Sequence, residues 1–417
     1  MSGKRILILS ASHLCRNPRV VKEATTLGAN RYDVTVMSVS TQERFERMDL
    51  DLMRRLPFRR VVLDYRATTP GARMANFVQR SATWGARLLC RTLQIETAQS
   101  LGPAGALLRF ARAFPADLTI AHTEIPLWIA QSLLHDGRRV AVDMEDWYSQ
   151  DLLFADRRSR PLHLLRSVET LVLRHAAYAS ATSDPMAAAL AETYQCPRPI
   201  VLPNTFPLQP RSRVDQPIGL APPAFIWFSQ TVGPGRGLEL FLSAWAQTRQ
   251  PSRVHLLGDV RPEYREHLLA RLPTARRADV SFTPLVTPDE LPSKLAEYDL
   301  GLALEPHWPR NRDVTISNKI FQYMNAGLAV IATDTAGQSE VMHAAPDCGL
   351  LIQAHESTRV ARQLDELLGH RERLRACQVA ARTAAVMQFN WAHAAPRLLA
   401  AVDRALSLPA IRPVDFP

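Results

Sequence analysis

The sequence predicts an α/β protein of two doubly wound, Rossmann-like domains, each a parallel sheet with helices on both faces. Three observations lead there. The chain has 417 residues, too many for one ordinary core and suited to two domains of about 200 each. Short apolar, β-rich runs alternate with helical periodicity along its length, which is the pattern of strand–helix–strand units. The alternation occurs twice, around a break from Leu202 to Pro223 where Pro203, Pro207, Pro210, Pro217, Pro222 and Pro223 crowd a polar stretch, a linker composition. The apolar share of 47% and charged share of 22% are those of a soluble globular protein. No run approaches the roughly 18 apolar residues of a membrane span.

The first expected strand is Ile6–Ser10. Its apolar run is too short for a signal sequence, and Ser, His and Arg follow at once. A helix should start at Asn17 and Pro18, a good cap followed by proline at the first helical position. Arg16 and Arg19 stand at that helix start, where acids are favoured and a cation costs about 0.3–1 kcal/mol. Arg19 either pairs with a nearby carboxylate or faces a substrate anion, since helix starts are ready anion sites. Val34–Val39 is the second strand.

Arginines then recur between Arg44 and Arg112, including Arg54, Arg55, Arg59, Arg60, Arg66, Arg73, Arg80, Arg87 and Arg91, with few acids between them. They contribute to a net charge of +10, which suits nucleic acid, an anionic membrane face or phosphorylated ligands. From Phe77 to Leu93 the stretch also carries Phe77, Trp84, Leu88 and Leu89. It reads as an exposed helix with a solvated basic face, or as a surface for anionic lipid or a lipid-linked acceptor. No nucleic-acid module is recognisable, so no nucleic-acid partner is expected.

Leu118–Ala121 is a strand ending at His122, with Glu124 placed to orient that imidazole. Val140–Asp143 is the next, followed by Met144, Glu145, Asp146, Trp147 and Tyr148. Acids beside aromatics suit an acceptor's hydroxyls, and a helix cap or ion pair explains them equally well. His122 is open to a structural or a functional reading.

In the second half the expected strands are Phe225–Phe228, Val254–Leu257, Val280–Phe282, Leu300–Leu304 and Ala329–Ala332. The segment from Phe228 to Glu239, which holds Gln230, Thr231, Gly233, Gly235, Arg236 and Gly237, follows a strand and opens a helix. Its glycines let backbone amides approach a phosphate, and Arg236 can grip one with two parallel hydrogen bonds. It matches neither the dinucleotide fingerprint GxGxxG nor the phosphate loop GxxxxGK(S/T). The third informative segment runs from Ser317 to Glu340. Ser317 or Asn318 caps a short helix, Lys319 sits in its first turn, and Gly327 ends it. Basic residues at three helix starts point to a strongly anionic ligand such as a diphosphate. A long Ala/Arg-rich helical pattern closes the chain, interrupted near Phe389-Asn390-Trp391, and the tail after Leu408 should fray. Cys15, Cys90, Cys196, Cys348 and Cys377 are odd in number and scattered, which argues against disulfides or a zinc site and for a cytoplasmic setting.

The third segment resembles the nucleotide-sugar signature N-K-x-x-E-Y-M-A-x-G-x-P-V-I-A of retaining GT-B glycosyltransferases, family 4 of the sequence classification. The Arg236 loop resembles their phosphate loop. The opening around Asn17-Pro18-Arg19, the run Asp117–His122 and the ending around Phe389–Trp391 fit the same family. The resemblance implies a GT-B fold, with an acceptor-side domain over 1–207, a donor domain over 208–389 and a crossover helix over 390–417 that returns to the first. It implies transfer of a sugar from a nucleoside-diphosphate sugar with retained configuration, without a metal or other cofactor. UDP is the commonest nucleotide in the family and GDP is open.

By the same resemblance Arg236 and Lys319 bind the diphosphate, with Thr231, Gly233, Gly237 and Asn318 around it. Thr335, Ala336 and Gly337 offer backbone amides, Gln322 bonds the ribose, and Leu285 and Val286 lie near the base. His122 touches the donor sugar near the reacting carbon. Arg16, Asn17, Arg19, Glu145 and Asp146 are the acceptor-side candidates. The partner would be a saccharide, a lipid-linked or a small-molecule acceptor. The setting is cytoplasmic, or the inner membrane face if the arginine-rich stretch meets anionic lipid.

The family's E-x7-E pair is altered, its first Glu falling on Val314 and its second on Gln322, and an arginine usual early in the phosphate loop falls on Thr231. A sugar-nucleotide epimerase, or a binding protein that has lost catalysis, are the alternatives.

Overall fold

In the computed structural model, which describes residues 3–66, 68–152, 157–217, 219 and 221–409, thirteen strands form two parallel sheets. The first holds β1 (Arg5–Ser10), β2 (Asp33–Ser40), β3 (Arg59–Asp64), β4 (Leu118–His122), β5 (Val140–Met144), β6 (Ala179–Ala181) and β7 (Ile200–Val201), in the order β3-β2-β1-β4-β5-β6-β7. The second holds β8 (Ala224–Val232), β9 (Arg253–Val260), β10 (Val280–Thr283), β11 (Leu300–Ala303), β12 (Ala329–Thr333) and β13 (Gly349–Ile352), in the order β10-β9-β8-β11-β12-β13. Each sheet belongs to its own compact unit. One unit takes the chain up to Leu202 and again from Ala395, and the other is Pro203–Ala394. The two doubly wound α/β halves expected from the sequence are therefore present.

Helices cover both faces of each sheet, so the strands are apolar on both sides. In β8, Phe225 and Trp227 enter one core cluster while Ile226 and Phe228 enter another, as the two-residue period of a strand requires. Each such large side chain contributes about 1.5–3 kcal/mol on burial. Gly301 in β11 shows how tight the packing is: a Cβ there would lie 2.1 Å from the Tyr323 ring.

In both sheets the strand order turns back at the centre, between β1 and β4 and between β8 and β11. Ligands of doubly wound sheets bind outside the carboxyl ends of the strands at such points. Ser10 is in register with His122, and His122 with Asp143, so the ends of β1, β4 and β5 bring their loops together.

The sequence reading omitted β3, β6, β7 and β13. It expected an interruption near Phe389, and there the helix Arg371–Met387 ends and Trp391–Ser407 begins. Asn390 makes the corner, donating to the carbonyls of Ala385 and Val386 at 2.8 and 2.9 Å and accepting from the Ala392 amide at 3.0 Å. The last helix is tied to the first unit: Tyr32 bonds Asp403, Arg397 reaches the Val201 carbonyl at 3.4 Å, and Arg139 reaches the Leu408 carbonyl at 2.6 Å. Residues 410–417, most of the tail expected to fray, lie outside the described residues.

Candidate functional site

In the second unit the chemistry gathers on the loops leaving β8, β11 and β12, which are neighbours in the sheet. The β8 loop turns through Gly235 and Gly237, both at left-handed φ (71° and 75°), before the helix Leu238–Trp245. A Cβ on Gly237 would also approach Leu304 to 3.2 Å, so only glycine fits without strain. Arg236 sits between them, half-buried. Thr231, near the end of β8, is exposed, and Gly233 is half-buried.

Glu305 leaves β11 and is buried. Its amide donates to Thr333 Oγ1 at 2.9 Å, the Thr333 hydroxyl donates to its carbonyl at 2.7 Å, and Gln338 Nε2 donates to the same hydroxyl at 2.8 Å. Thus the residue closing β12 holds the loop after β11. The Glu305 carboxylate accepts from Lys319 Nζ at 3.3 Å and from Arg312 at 3.1 Å. Burial acts to raise the Glu305 pKa, but Lys319, Arg236 and Arg312 outweigh it and hold the carboxyl below its usual range. Burial depresses the Lys319 ammonium, aided by Arg236 and Arg312 and only partly offset by Glu305. Three cations therefore share one buried carboxylate. The positive surplus favours a bound anion.

Several polar atoms here are buried and unpartnered: Gln322 Oε1, Thr335 Oγ1 and Arg312 Nε. A buried polar group without a partner costs about 1–3 kcal/mol, so orphans beside a surplus of positive charge are sites for a polar ligand. Gln322 lies one turn after Lys319 on the helix Asn318–Ala326, which puts both on one face. Asn318 is half-buried in the same first turn. Leu285 and Val286 are half-buried and pack against the core beneath β8 and β12. At the turn 335–337 the structure modifies the expectation. The Ala336 amide donates to Asp313 Oδ1 at 3.3 Å, so a carboxylate occupies a group expected to serve phosphate. Gly337 is required by packing, because a Cβ would lie 2.6 Å from the Thr315 backbone. The sequence reading gave no role to Arg312 or Glu305; nothing in their sequence spacing shows that both meet Lys319.

In the first unit the helix Pro18–Ala29 is capped by Asn17, whose Oδ1 accepts from the Val20 amide at 3.1 Å. Its Nδ2 donates to Glu145 Oε1 at 2.9 Å. The same oxygen accepts from His122 Nδ1 at 2.9 Å, while Nε2 of that ring bonds Glu23. Burial would lower the His122 pKa. Glu23, Glu145 and Asp143 overcome this and raise it to about 10, so the ring is an imidazolium at neutral pH. For Glu145, burial acts to raise the pKa, but His122, Asn17 and Arg19 more than offset it, keeping this half-buried carboxyl ionised.

Two expectations change. His122 was expected to touch a sugar, oriented by Glu124. It is 0% exposed with both nitrogens bonded to carboxylates, while Glu124 bonds Arg160; the ring acts on Glu145 and not on an open surface. Arg19, assigned to the acceptor side, is buried, donating to Asp143 at 2.8 Å and to the Leu202 carbonyl at 2.7 Å. It is the structural ion pair of the two readings left open. Asp146 is half-buried beside Glu145. Arg16 is exposed, with its guanidinium 5.1 Å from the Phe45 ring centre.

Among the described residues two groups have metal-ligand proximity: His13, Glu46 and Asp49, and Glu23, His122 and Asp143. Each already contains a guanidinium. Arg60 bonds Glu46 and Asp49 at 2.9 and 2.8 Å, and Arg19 bonds Asp143. Their carboxylates are thus charge-compensated by the protein itself.

Comparison with known proteins fits this geometry. Residues 222–370, the stretch holding the three-cation cluster, match the family model "Glycosyl transferases group 1". No curated protein matches the sequence significantly. Among solved structures, HepE of Anabaena in complex with UDP-glucose aligns at TM-score 0.66 and 16% identity over 96% of this chain and 99% of that one. A glycosyltransferase from Rickettsia africae aligns at 0.64 and 12% over 98% and 100%. A TarM variant of S. aureus, in a complex that includes UDP, aligns at 0.68 and 7% over 97% and 100%. At these identities the likeness is one of fold, and the fold is that of GT-B glycosyltransferases.

Proposed function

We propose that this protein is a metal-independent, retaining glycosyltransferase that moves a sugar from a nucleoside-diphosphate sugar, UDP being the first candidate, to a hydroxyl-bearing acceptor. The observation that carries the proposal is the cluster of Arg236, Arg312 and Lys319 around one buried carboxylate, with orphaned polar atoms beside it, at the carboxyl edge of the second sheet. In this reading the cations hold the diphosphate and stabilise the charge that develops as it departs. Gln322 Oε1 accepts from a ribose hydroxyl, Leu285 and Val286 flank the base, and Thr231, Gly233, Gly237, Asn318, Thr335 and Gly337 shape the walls. On the acceptor side Glu145 receives a hydrogen bond from the incoming hydroxyl, with Asn17, Asp146 and Arg16 near it. His122 and Arg19 are positioning residues behind Glu145. Retention and UDP rest on the family resemblance. The UDP and UDP-glucose complexes of HepE support the choice of nucleotide.

The test is a thermal-shift screen against UDP, GDP, ADP, TDP and CMP, with NAD as control. A ligand at 100 times its Kd stabilises the native state by about 2.7 kcal/mol. One nucleoside diphosphate should raise the melting temperature while NAD does not. No shift with any of them, in a protein that melts cooperatively, refutes the donor site. Conversion of a UDP-sugar to its epimer without acceptor would reassign the reaction.

A further inference from the structure

The helix Pro70–Leu93 is amphipathic in the unusual sense. An ordinary surface helix turns its large apolar side chains inward. Here Ala72, Asn76, Gln79, Thr83, Ala86 and Cys90, spaced three or four apart, form the face toward the protein, and of these only Ala86 and Cys90 are buried. Met74, Phe77, Trp84 and Leu88 lie on the opposite face at i, i+3, i+10 and i+14, with Phe77 and Trp84 each 68% exposed. Arg73, Arg80, Arg87 and Arg91 form a stripe along one flank of that face. No acidic residue occurs in the helix.

The helix is nonetheless well anchored. Asn76 donates to the Tyr65 carbonyl at 2.6 Å and Arg87 to the Ser100 carbonyl at 2.9 Å, while Thr69 Oγ1 caps the helix by accepting from the Ala72 amide at 3.1 Å. The outward apolar face is therefore a fixed feature of the surface. A solvated basic face would account for the arginines but not for Phe77 and Trp84. Nor does the helix cross a bilayer, since no helix among the described residues is long and apolar enough.

We propose that this helix lies flat on an anionic lipid bilayer, with Met74, Phe77, Trp84 and Leu88 at the acyl boundary and Arg80 and Arg91 of the stripe at the phosphate headgroups. Charge complementarity selects this occupant. Interfacial helices combine such an apolar face with cations on the polar side, and arginine stems can lie along the apolar surface while the guanidinium stays at headgroup level. The proposal is independent of the donor site and goes beyond it.

Co-flotation of the full chain with phosphatidylcholine vesicles, with and without phosphatidylglycerol, tests it. Binding is expected only with the anionic lipid, and it should weaken as salt screens the charges. Phe77→Ser and Trp84→Ser should each lower the partition constant about tenfold, and Arg80→Gln and Arg91→Gln about fivefold each. All four are exposed positions, so the variants should keep the wild-type melting temperature and nucleotide shift. Equal binding to neutral and anionic vesicles, or none to either, overturns the proposal. A dimer that Phe77→Ser/Trp84→Ser dissolves, without vesicle binding, would overturn it too and give the face to a second copy of the chain. Loss of the nucleotide shift with vesicle binding intact would count against the donor reading alone.

Discussion

Arg236 and Lys319 are both assigned to the diphosphate, yet they stand in different surroundings, and this separates their expected phenotypes. Arg236 is half-buried, flanked by two glycines, and shares Glu305 with its neighbours only through the electrostatic field. Arg236→Ala should leave the ligand-free protein about as stable as before. Losing a charge-assisted bond of about 1.5–3 kcal/mol, it should weaken UDP binding about tenfold to 150-fold. Lys319 is buried and bonded to Glu305. Lys319→Met should lose a similar amount of affinity and also destabilise the ligand-free protein. Stripping one partner from a buried pair costs about 3–5 kcal/mol when the charge is left bare. Arg312 remains on Glu305 at 3.1 Å, so a cost of about 1–3 kcal/mol is expected. Adding Glu305→Gln removes the carboxylate that has lost its lysine but also takes it from Arg312, so the double variant should cost less than the sum of the two single changes and recover none of the affinity, a non-additive result expected of contacting residues. Calorimetric titration with UDP gives the affinities, and unfolding of the ligand-free variants gives the stabilities. Unchanged UDP affinity in Arg236→Ala and Lys319→Met would refute the placement of the diphosphate. Affinity restored by Glu305→Gln would show that Lys319 acts only by neutralising that carboxylate.

Two further outcomes follow from the same geometry. Gln322→Leu removes an orphaned buried acceptor; it should stabilise the ligand-free protein by about 1 kcal/mol and weaken UDP binding about threefold to tenfold, through loss of one neutral hydrogen bond, and a variant that binds UDP as wild type would move the ribose elsewhere. The His122 pKa is raised from 6.5 to about 10 in the folded state, so its contribution to stability is complete below pH 6.5 and lost as pH rises toward 10. Unfolding measured across that window should show stability falling by up to about 1.4 kcal/mol per pH unit, and His122→Gln should flatten the slope. An unchanged slope would mean that His122 is neutral in the native protein.

The central strands were legible because burial on both faces leaves a plain signature: Ile6–Leu9 and Val140–Val142 are wholly buried and stand out as apolar runs. The missed strands lack it. In β3 the residues Arg59-Arg60-Val61-Val62-Leu63-Asp64 are at most half-buried at a sheet edge, so arginine and aspartate are tolerated there. Strands β6 and β7 are three and two residues long, below the length at which a period can be read. At the site, Arg236 and Lys319 were legible because each occupies a helix-opening loop with its own local signature. Glu305 and Arg312 were not, because their meeting with Lys319 depends on β11 lying beside β12 in the sheet and on the helix Asn318–Ala326 that joins them. His122 was found by its place at the end of β4, but its partners Glu23 and Glu145 come from a helix and a loop far away in sequence. Hence its charge state could not be read from its neighbours.

The first sheet's unit is assembled from two distant stretches of chain, with the whole of the second unit between them. This bears on the order in which a ribosome can finish the protein. Domains ordinarily fold as they emerge, the earliest first. Here Tyr32, Arg139 and Val201 are made early, but their partners on and beside the last helix, Asp403, Leu408 and Arg397, arrive only after Ala394. The half translated first is therefore completed last, and a premature stop codon within the final helix would injure the sheet that was synthesised at the outset.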